Sequence, residues 1–290
     1  MRHELEQGTE EWLNFRKSHC MASEAPAVLE ENPWFPMTQL QLWELKTGLK
    51  VVEVNEAMRR GSELEPRARK ALEQAKGKKF PPCVVTREID GIPLGASLDG
   101  FNKVVLEIKI PKLGEKSQLW LRLMDGLSLP MQYQIQCQQQ LLVTEAKELW
   151  FWVYDPISNK GIIQTILPDE KLQKKIIKGW KKFYPYLEKG KAPPASKKDF
   201  VTRKDSEWLS TAKRWAVLNK KIAALAGEES ILRDSLIALA DDQSCEGGGI
   251  RFKRRVSKGR VSYTKIPELD GVDLEKYRSK SFVQYYITRK

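Results

Sequence analysis

The feature that most constrains the fold is a run of seven residues, 104–110, that is apolar except for Glu107 and Lys109. A short apolar run rich in valine and isoleucine is typical of a buried β-strand. Side chains alternate along a strand, so Glu107 and Lys109 point the same way. Burying charge without a partner is costly. The fold must therefore bring a partner to these two side chains.

Asp99 is the first candidate partner. The segments 83–90, 93–99 and 103–110, punctuated by glycines, predict a β-meander that places Asp99 across a short turn from Glu107. Two carboxylates at one point bind a hard cation such as Mg²⁺, and the carbonyl of Ile108 is a further candidate ligand. Such a cation polarises a phosphodiester, and Lys109 beside it can orient or deprotonate water or stabilise developing charge. The alternative is an ordinary meander with exposed polar positions.

The order of the other elements predicts an α/β fold, with a mixed sheet flanked by helices. Thr9 is expected to cap the first helix and Ser23 a second, short one. Two strands, 149–154 and 161–167, follow the meander and the helices after it. The helices are expected at residues 9–19, 37–48, 55–76, 115–126, 130–144 and 169–188.

A glutamine-rich helix follows the predicted metal site. Gln132, Gln136 and Gln140 recur at a spacing of four residues and share one helix face. Near a metal, neutral amides can position water or phosphate without competing for the cation. The alternative is a solvated polar face.

The composition bears on the kind of binding partner and on the cellular compartment of the protein. A net charge of +12 and a pI near 9.4 favour a polyanionic partner, although a merely basic protein has the same surplus. The four cysteines are scattered, which disfavours a zinc ribbon or a local iron–sulfur site and fits a reducing cytoplasm. Without a membrane-spanning apolar run or a signal-like N-terminus, we expect a protein of the bacterial or phage-infected cytoplasm.

The chain is expected to contain a domain over 1–190 and a C-terminal extension over 197–290, joined by a Pro- and Lys-rich linker. A helical hairpin at about 205–241, turning at Gly227, precedes a basic β-hairpin and tail over 250–290. Three interpretations of the extension stay open: a DNA-binding arm, a structural or subunit contact, or a docking site for an annealing protein.

Five ordered motifs in residues 1–190 resemble the YqaJ-type viral recombinase family, the relatives of phage lambda exonuclease within the PD-(D/E)XK nucleases. Leu98 stands where the superfamily name implies proline. The matching segments are Gln7-Gly8-Thr9 with Trp12 and Arg16, Ala22-Ser23-Glu24, Arg59 to Glu65, Leu98-Asp99-Gly100 with Glu107 to Pro111, and Tyr133 to Gln138.

The resemblance implies a PD-(D/E)XK, restriction-endonuclease-like core and a role for each matching residue. Asp99 and Glu107 would bind metal, Lys109 would activate water, and Glu65 would lie near a second metal. Gln136 would contact the water or the scissile phosphate. Arg16 and Ser23 would bind a terminal 5′-phosphate, and Lys112 and Lys116 are candidate phosphate contacts in the loop after the catalytic strand.

The activity that the resemblance implies is Mg²⁺-dependent 5′→3′ digestion of one strand of linear duplex DNA, with Mn²⁺ as a substitute cation. The 3′ single strands would serve phage-type recombination with a single-strand annealing protein, and family members form homotrimeric rings. Two alternatives are an endonuclease of the same fold in repair or restriction, and a non-enzymatic basic module that binds or anneals DNA.

Overall fold

The computed structural model describes residues 1–5, 8–31, 37–51, 54–254, 266–269 and 272. The chain divides into two compact units, Met1–Val201 and Thr202–Lys290, each considered by itself. The first unit contains two mixed sheets flanked by helices, which confirms the predicted fold class. No helix within the described residues is long and apolar enough to cross a membrane.

The first sheet has the strand order β1-β3-β4-β2. Its strands β3 and β4 pair antiparallel, whereas β2 runs parallel to β4. Asp90 and Gly91 both have positive φ and form the two-residue turn between β3 and β4, as a tight hairpin requires. The strands are β1 (Arg2–His3), β2 (Cys20–Met21), β3 (Cys83–Ile89) and β4 (Ile92–Leu98).

The second sheet has the order β5-β6-β7-β8, with β6 and β7 parallel and the other neighbours antiparallel. Only Asp99 separates β4 from β5, so the chain crosses from one sheet to the other at this residue. Gly100 permits the crossing, since a Cβ there would lie 2.7 Å from the Cβ of Phe80. The prediction of a single meander is therefore wrong. The strands are β5 (Gly100–Asn102), β6 (Val104–Lys109), β7 (Leu149–Asp155) and β8 (Lys160–Ile166).

The helices of this unit lie close to their predicted positions. Thr9 caps α1 as predicted, its hydroxyl accepting from the Trp12 N–H. Ser23, however, caps no helix: it lies inside a 3-10 turn, because the Glu24 carboxylate accepts the Met21 N–H and closes the turn around it. The helices are α1 (Glu10–Ser18), α2 (Ala25–Val28), α3 (Gln39–Lys46), α4 (Glu56–Lys76), α5 (Gln118–Met124), α6 (Met131–Thr144) and α7 (Glu170–Glu188).

Helix α6 is held in the core by a buried polar network around Gln139. The Gln139 amide donates to the carbonyls of Cys20 and Gly95, and its oxygen accepts the indole N–H of the fully buried Trp180. This side chain thereby joins α6 to β2, β4 and α7. All of its polar atoms are satisfied without water, as a buried amide requires.

A Gln139→Leu substitution should lower the free energy of unfolding by about 3 kcal/mol, because it leaves the indole N–H and two carbonyls buried without partners. Urea unfolding followed by tryptophan fluorescence measures the loss. Gln74→Leu, on the exposed surface of α4, is the matched control and should change stability by less than about 0.5 kcal/mol. Equal stability of the two variants would contradict the structural role of Gln139.

The second unit begins with one continuous helix, α8 (Ser206–Ala240), capped by Asp205. The predicted helical hairpin is wrong, because Gly227 keeps a negative φ inside α8. One glycine costs a helix only about 1 kcal/mol, and its neighbours are strong helix formers. Strands β9 (Cys245–Gly247) and β10 (Ile250–Phe252) pair antiparallel. Most of the predicted basic hairpin and tail over 250–290 lies outside the described residues.

Candidate active site

Glu107 on β6 is the centre of the site and is buried, with 2% of its surface exposed. Three side chains donate to its carboxylate. Lys109 Nζ lies 2.5 Å and Gln136 Nε2 2.7 Å from Oε1, and Gln140 Nε2 lies 2.5 Å from Oε2. The strand supplies the lysine and α6 supplies both glutamines. The buried charge of Glu107 was predicted to need a partner, and the structure supplies three N–H donors.

Asp99 lies beside Glu107, at the crossing between the two sheets. Its Oδ2 accepts the backbone N–H of Ile108 at 2.7 Å, which fixes the side chain against β6. Arg69 of α4 donates to the carbonyl of Asp99 at 2.6 Å and to Glu65 Oε1 at 3.0 Å. The same arginine thus holds Glu65 close to Asp99. We call Glu65, Asp99 and Glu107 the carboxylate cluster.

Mutual repulsion within the carboxylate cluster shows in its electrostatics. Burial raises the pKa of Asp99 well above its ordinary value, and the charges of Glu107 and Glu65 raise it further. Burial also raises the pKa of Glu65, against the opposing effect of Arg69. Burial alone would lower the pKa of Lys109, but Glu107 and Asp99 outweigh it and the pKa is raised. The three carboxylates of the cluster outnumber the two cations beside them, Lys109 and Arg69.

A divalent cation fits this donor set by its chemistry, because carboxylate oxygens are the ligands that Mg²⁺ and Mn²⁺ prefer. Excess negative charge at one buried point is also what a cation relieves. Among the described residues, however, no three His, Cys, Asp or Glu side chains stand ready in metal-holding geometry. Oε1 of Glu107 accepts from two N–H donors, whereas Oε2 accepts from one and keeps a lone pair for a cation.

The glutamine face of α6 is buried rather than solvated. Gln140 is fully buried and Gln132 is 6% exposed. Gln136 and Gln140 both bind Glu107, whereas the amide nitrogen and oxygen of Gln132 have no hydrogen-bond partner among the described residues. The face therefore belongs to the site. Sequence reasoning placed Gln136 and Gln140 on one helix face but gave a role only to Gln136, and it did not predict the hydrogen bond from Gln140 to Glu107.

A second cluster, the arginine pocket, comprises Trp12, Arg16, Ser23 and Glu24. Arg16 Nη2 donates to Ser23 Oγ at 3.0 Å and to Glu24 Oε1 at 3.1 Å, and the guanidinium lies over the Trp12 ring, 4.7 Å from its centroid. The structure thus brings the predicted Arg16 and Ser23 together. Ser23 is exposed and Arg16 half-buried, so an anion can reach both.

Below the arginine pocket lies a buried lysine that the sequence did not reveal. Lys46 Nζ is 2.5 Å from Glu24 Oε2 and donates to the carbonyls of Arg16 and His19. Glu24 is therefore held between Lys46 and Arg16. These two ion pairs hold the Arg16 guanidinium on one side and leave its other N–H groups available to a ligand.

The arginine pocket and the carboxylate cluster are linked through β4. Trp12 Nε1 donates to Ser97 Oγ at 3.1 Å, and Ser97 lies two residues before Asp99. Asp99 itself directly follows β4, at the crossing to the second sheet, so β4 connects the two clusters along the chain.

The two loop lysines stand apart from these clusters. Lys112 is exposed and lies 3.9 Å from Glu56 Oε1, and Lys116 is exposed in the 3-10 turn Gly114–Lys116. Within the described residues, neither has a hydrogen bond or ion pair to the carboxylate cluster. Their role as phosphate contacts stays a prediction.

Asp99 directly after β4, with Glu107 and Lys109 on β6, is the arrangement that the sequence motifs predicted for a PD-(D/E)XK nuclease core. Two solved structures of the alkaline exonuclease LHK-Exo from Laribacter hongkongensis are similar to this chain. The first is 28% identical, with a TM-score of 0.52, and covers 63% of this chain and 94% of its own. The second, a complex with dAMP, is 26% identical, with a TM-score of 0.51 and the same coverage. A phage-related exonuclease from Haemophilus somnus also matches, at 14% identity and a TM-score of 0.46, covering 62% of this chain and 99% of its own.

The family model of the YqaJ-like viral recombinase domain matches residues 11–147. This match confirms the resemblance seen in the sequence motifs. The match contains the arginine pocket, the carboxylate cluster and the glutamine face. No curated protein matches the chain.

Proposed function

We propose that the chain is a metal-dependent exonuclease that digests the 5′-phosphorylated strand of linear duplex DNA. The observation that carries this proposal is the buried Glu107, held between Lys109 and two glutamines beside Asp99 and Glu65. A buried, mutually repelling set of carboxylates is unfavourable for stability and is typical of catalytic sites. Membership in a viral recombinase family and likeness to an alkaline exonuclease support the same activity.

The proposed roles follow from position. Asp99, Glu107 and the carbonyl of Ile108 would hold a Mg²⁺ ion, with Glu65 near a second, and Mn²⁺ would substitute. When bound, the cation polarises the scissile phosphodiester and lowers the pKa of water. Lys109 would orient or deprotonate the attacking water, or stabilise the charge that develops on the phosphate.

The two glutamines complete the site in different ways. Gln136 is half-buried, and its amide can turn from Glu107 to the scissile phosphate or to water. Gln140 is fully buried, so it would orient Glu107 rather than contact the substrate.

The strand polarity would come from the arginine pocket. A terminal phosphate carries an extra negative charge that an internal phosphodiester lacks, and a guanidinium binds it through paired hydrogen bonds. Arg16 and Ser23 would therefore recognise a 5′ end and start digestion there.

We further propose that the enzyme acts in the cytoplasm of a bacterial or phage-infected cell, as a homotrimer that encircles duplex DNA. The 3′ single strands that it leaves would pass to a single-strand annealing protein.

The proposal is tested with linear duplexes that carry either a 5′-phosphate or a 5′-hydroxyl, in Mg²⁺ or in EDTA. We expect the phosphorylated strand to be degraded at least tenfold faster and EDTA to abolish digestion. Release of labelled nucleotides from each strand measures rate and direction together. Digestion that survives EDTA would contradict the metal dependence, and equal rates on both ends would contradict the phosphate pocket.

A closed circular duplex distinguishes the alternatives of the same fold. An exonuclease leaves it intact, whereas an endonuclease nicks it at a rate similar to the linear substrate. A non-enzymatic module would bind both substrates and cleave neither.

A further inference from the structure

Helix α8 presents a long apolar face to solvent in the second unit. Its 35 residues span about 50 Å. Eight of its twelve large apolar residues recur at steps of three, four or seven residues, and all of the eight except Trp215 expose at least 40% of their surface. We call this face the apolar seam; it consists of Trp208, Trp215, Leu218, Ile222, Leu225, Leu232, Leu236 and Leu239.

The spacing of the seam is that of a coiled coil. Positions 208, 215, 222, 229 and 236 form one heptad series, and positions 211, 218, 225, 232 and 239 form the other. Only Thr211 and Glu229 interrupt the apolar residues. An apolar heptad pattern sustained over more than four heptads, with charges beside it, indicates pairing with another helix.

The charge distribution along α8 identifies the partner helix and its direction. Before Gly227, four of the five charged side chains are basic; after it, three of the four are acidic. A second copy in antiparallel orientation sets each basic half against an acidic half, whereas a parallel copy sets like charges together. The basic residues are Lys213, Arg214, Lys220 and Lys221, and the acidic ones are Glu228, Glu229 and Asp234.

We propose that α8 is a self-association surface that pairs antiparallel with α8 of a second copy of this chain. With the twofold axis near residue 224, Ile222 packs against Leu225 of the second copy. The ends match as well, with Trp208 opposite Leu239. The flanking position Lys221 then meets Glu228 of the second copy, twice by symmetry. Antiparallel pairing also keeps the two Glu229 side chains apart, because each faces Leu218 of the other copy. A parallel pair would set the two Glu229 side chains against each other.

The first test measures the mass of the full chain by light scattering. Because a twofold pair cannot close within a threefold ring, α8 would join two copies of the proposed homotrimer, and the double substitution Ile222→Asp with Leu225→Asp should halve the mass at the same concentration. Val217→Asp, at an exposed apolar residue away from the seam, is the matched control and should leave the mass unchanged. An unchanged mass in the double variant, as when the seam is covered by another segment of the same chain, would overturn the proposal.

Charge reversal tests the partner without altering the apolar residues. Lys221→Glu alone and Glu228→Lys alone should each weaken association about tenfold. The two together should restore it, because the pair is rebuilt with its charges exchanged. Failure of the combined variant to recover would exclude this pairing.

Cross-linking tests the direction, in a Cys245→Ser background because Cys245 is exposed. Chains with Trp208→Cys are mixed with chains with Leu239→Cys and oxidised. Antiparallel pairing gives disulfides between the two kinds of chain. Disulfides between two Trp208→Cys chains indicate parallel pairing, and that result, or the absence of any cross-link, would refute the proposal. Nuclease activity should be retained in all these variants, since they lie outside the proposed active site.

Discussion

Lys109→Ala is expected to reduce DNA digestion at least a thousandfold while duplex binding persists. Lys109 is the cation nearest the buried carboxylate, 2.5 Å from Glu107 Oε1, and the proposed chemistry needs it to orient water or stabilise charge. Loss of one such preorganised group at an active site costs about 10²–10³ in rate, and loss of a proton-transfer role adds to this. Single-turnover digestion of a 5′-phosphorylated duplex measures the rate, and fluorescence anisotropy measures the binding.

Three further variants separate chemistry from folding. Glu107→Gln keeps the shape of the side chain but removes the charge, and it should lose digestion and Mg²⁺ dependence together. Lys103→Ala, in the exposed turn between β5 and β6, removes a lysine of the same strand region and should retain full activity. Gln140→Leu should lower the rate with little change in DNA affinity, because the Gln140 amide donates to Glu107 and is fully buried. Wild-type digestion by Lys109→Ala would refute the catalytic assignment.

The second large effect is expected at the arginine pocket, where Arg16→Ala should abolish the preference for a 5′-phosphate. Hydrogen bonds to a charged group contribute about 1.5–3 kcal/mol, which corresponds to a 10- to 100-fold preference. The ratio of digestion rates on phosphorylated and hydroxyl ends should therefore fall close to one. Competition between the two ends in one reaction measures this ratio directly.

Glu24 and Lys17 provide the controls for this prediction. Glu24→Gln removes the two ion pairs that Glu24 makes with Lys46 and Arg16. It should reduce the preference for a 5′-phosphate only in part, since Arg16 remains. Lys17→Ala removes the neighbouring exposed cation of α1 and should leave the ratio unchanged, although overall affinity falls slightly at low salt. If Lys17→Ala erased the preference as fully as Arg16→Ala, general basicity rather than the pocket would explain it.

Sequence reasoning located the site where local rules suffice. Strand alternation placed Glu107 and Lys109 on one face, and helix spacing placed Gln136 and Gln140 together. It could not place Lys46, because a lysine reads as a surface residue and its partner Glu24 lies 22 residues away. The division of the strands into two sheets was equally hidden, because the crossing at Asp99 depends on packing of Gly100 against Phe80 rather than on any local signal.

The errors have a common physical origin. Gly227 predicted a turn because glycine disfavours helices, but its modest local cost is outweighed by the helix formers around it. Ser23 predicted a cap because serine is a good capping residue, but the Glu24 carboxylate takes the Met21 N–H instead. In both cases a weak local preference lost to a neighbouring side chain or segment.

The carboxylate cluster and the two glutamines that bind it come from four separate elements: α4, the crossing at Asp99, β6 and α6. These residues are separated by up to 75 positions along the chain, from Glu65 to Gln140. Closing such loops precedes any gain from the contacts that they make. A partly synthesised or partly folded chain therefore has no complete site. This arrangement would delay nuclease activity until synthesis and folding of the core are finished.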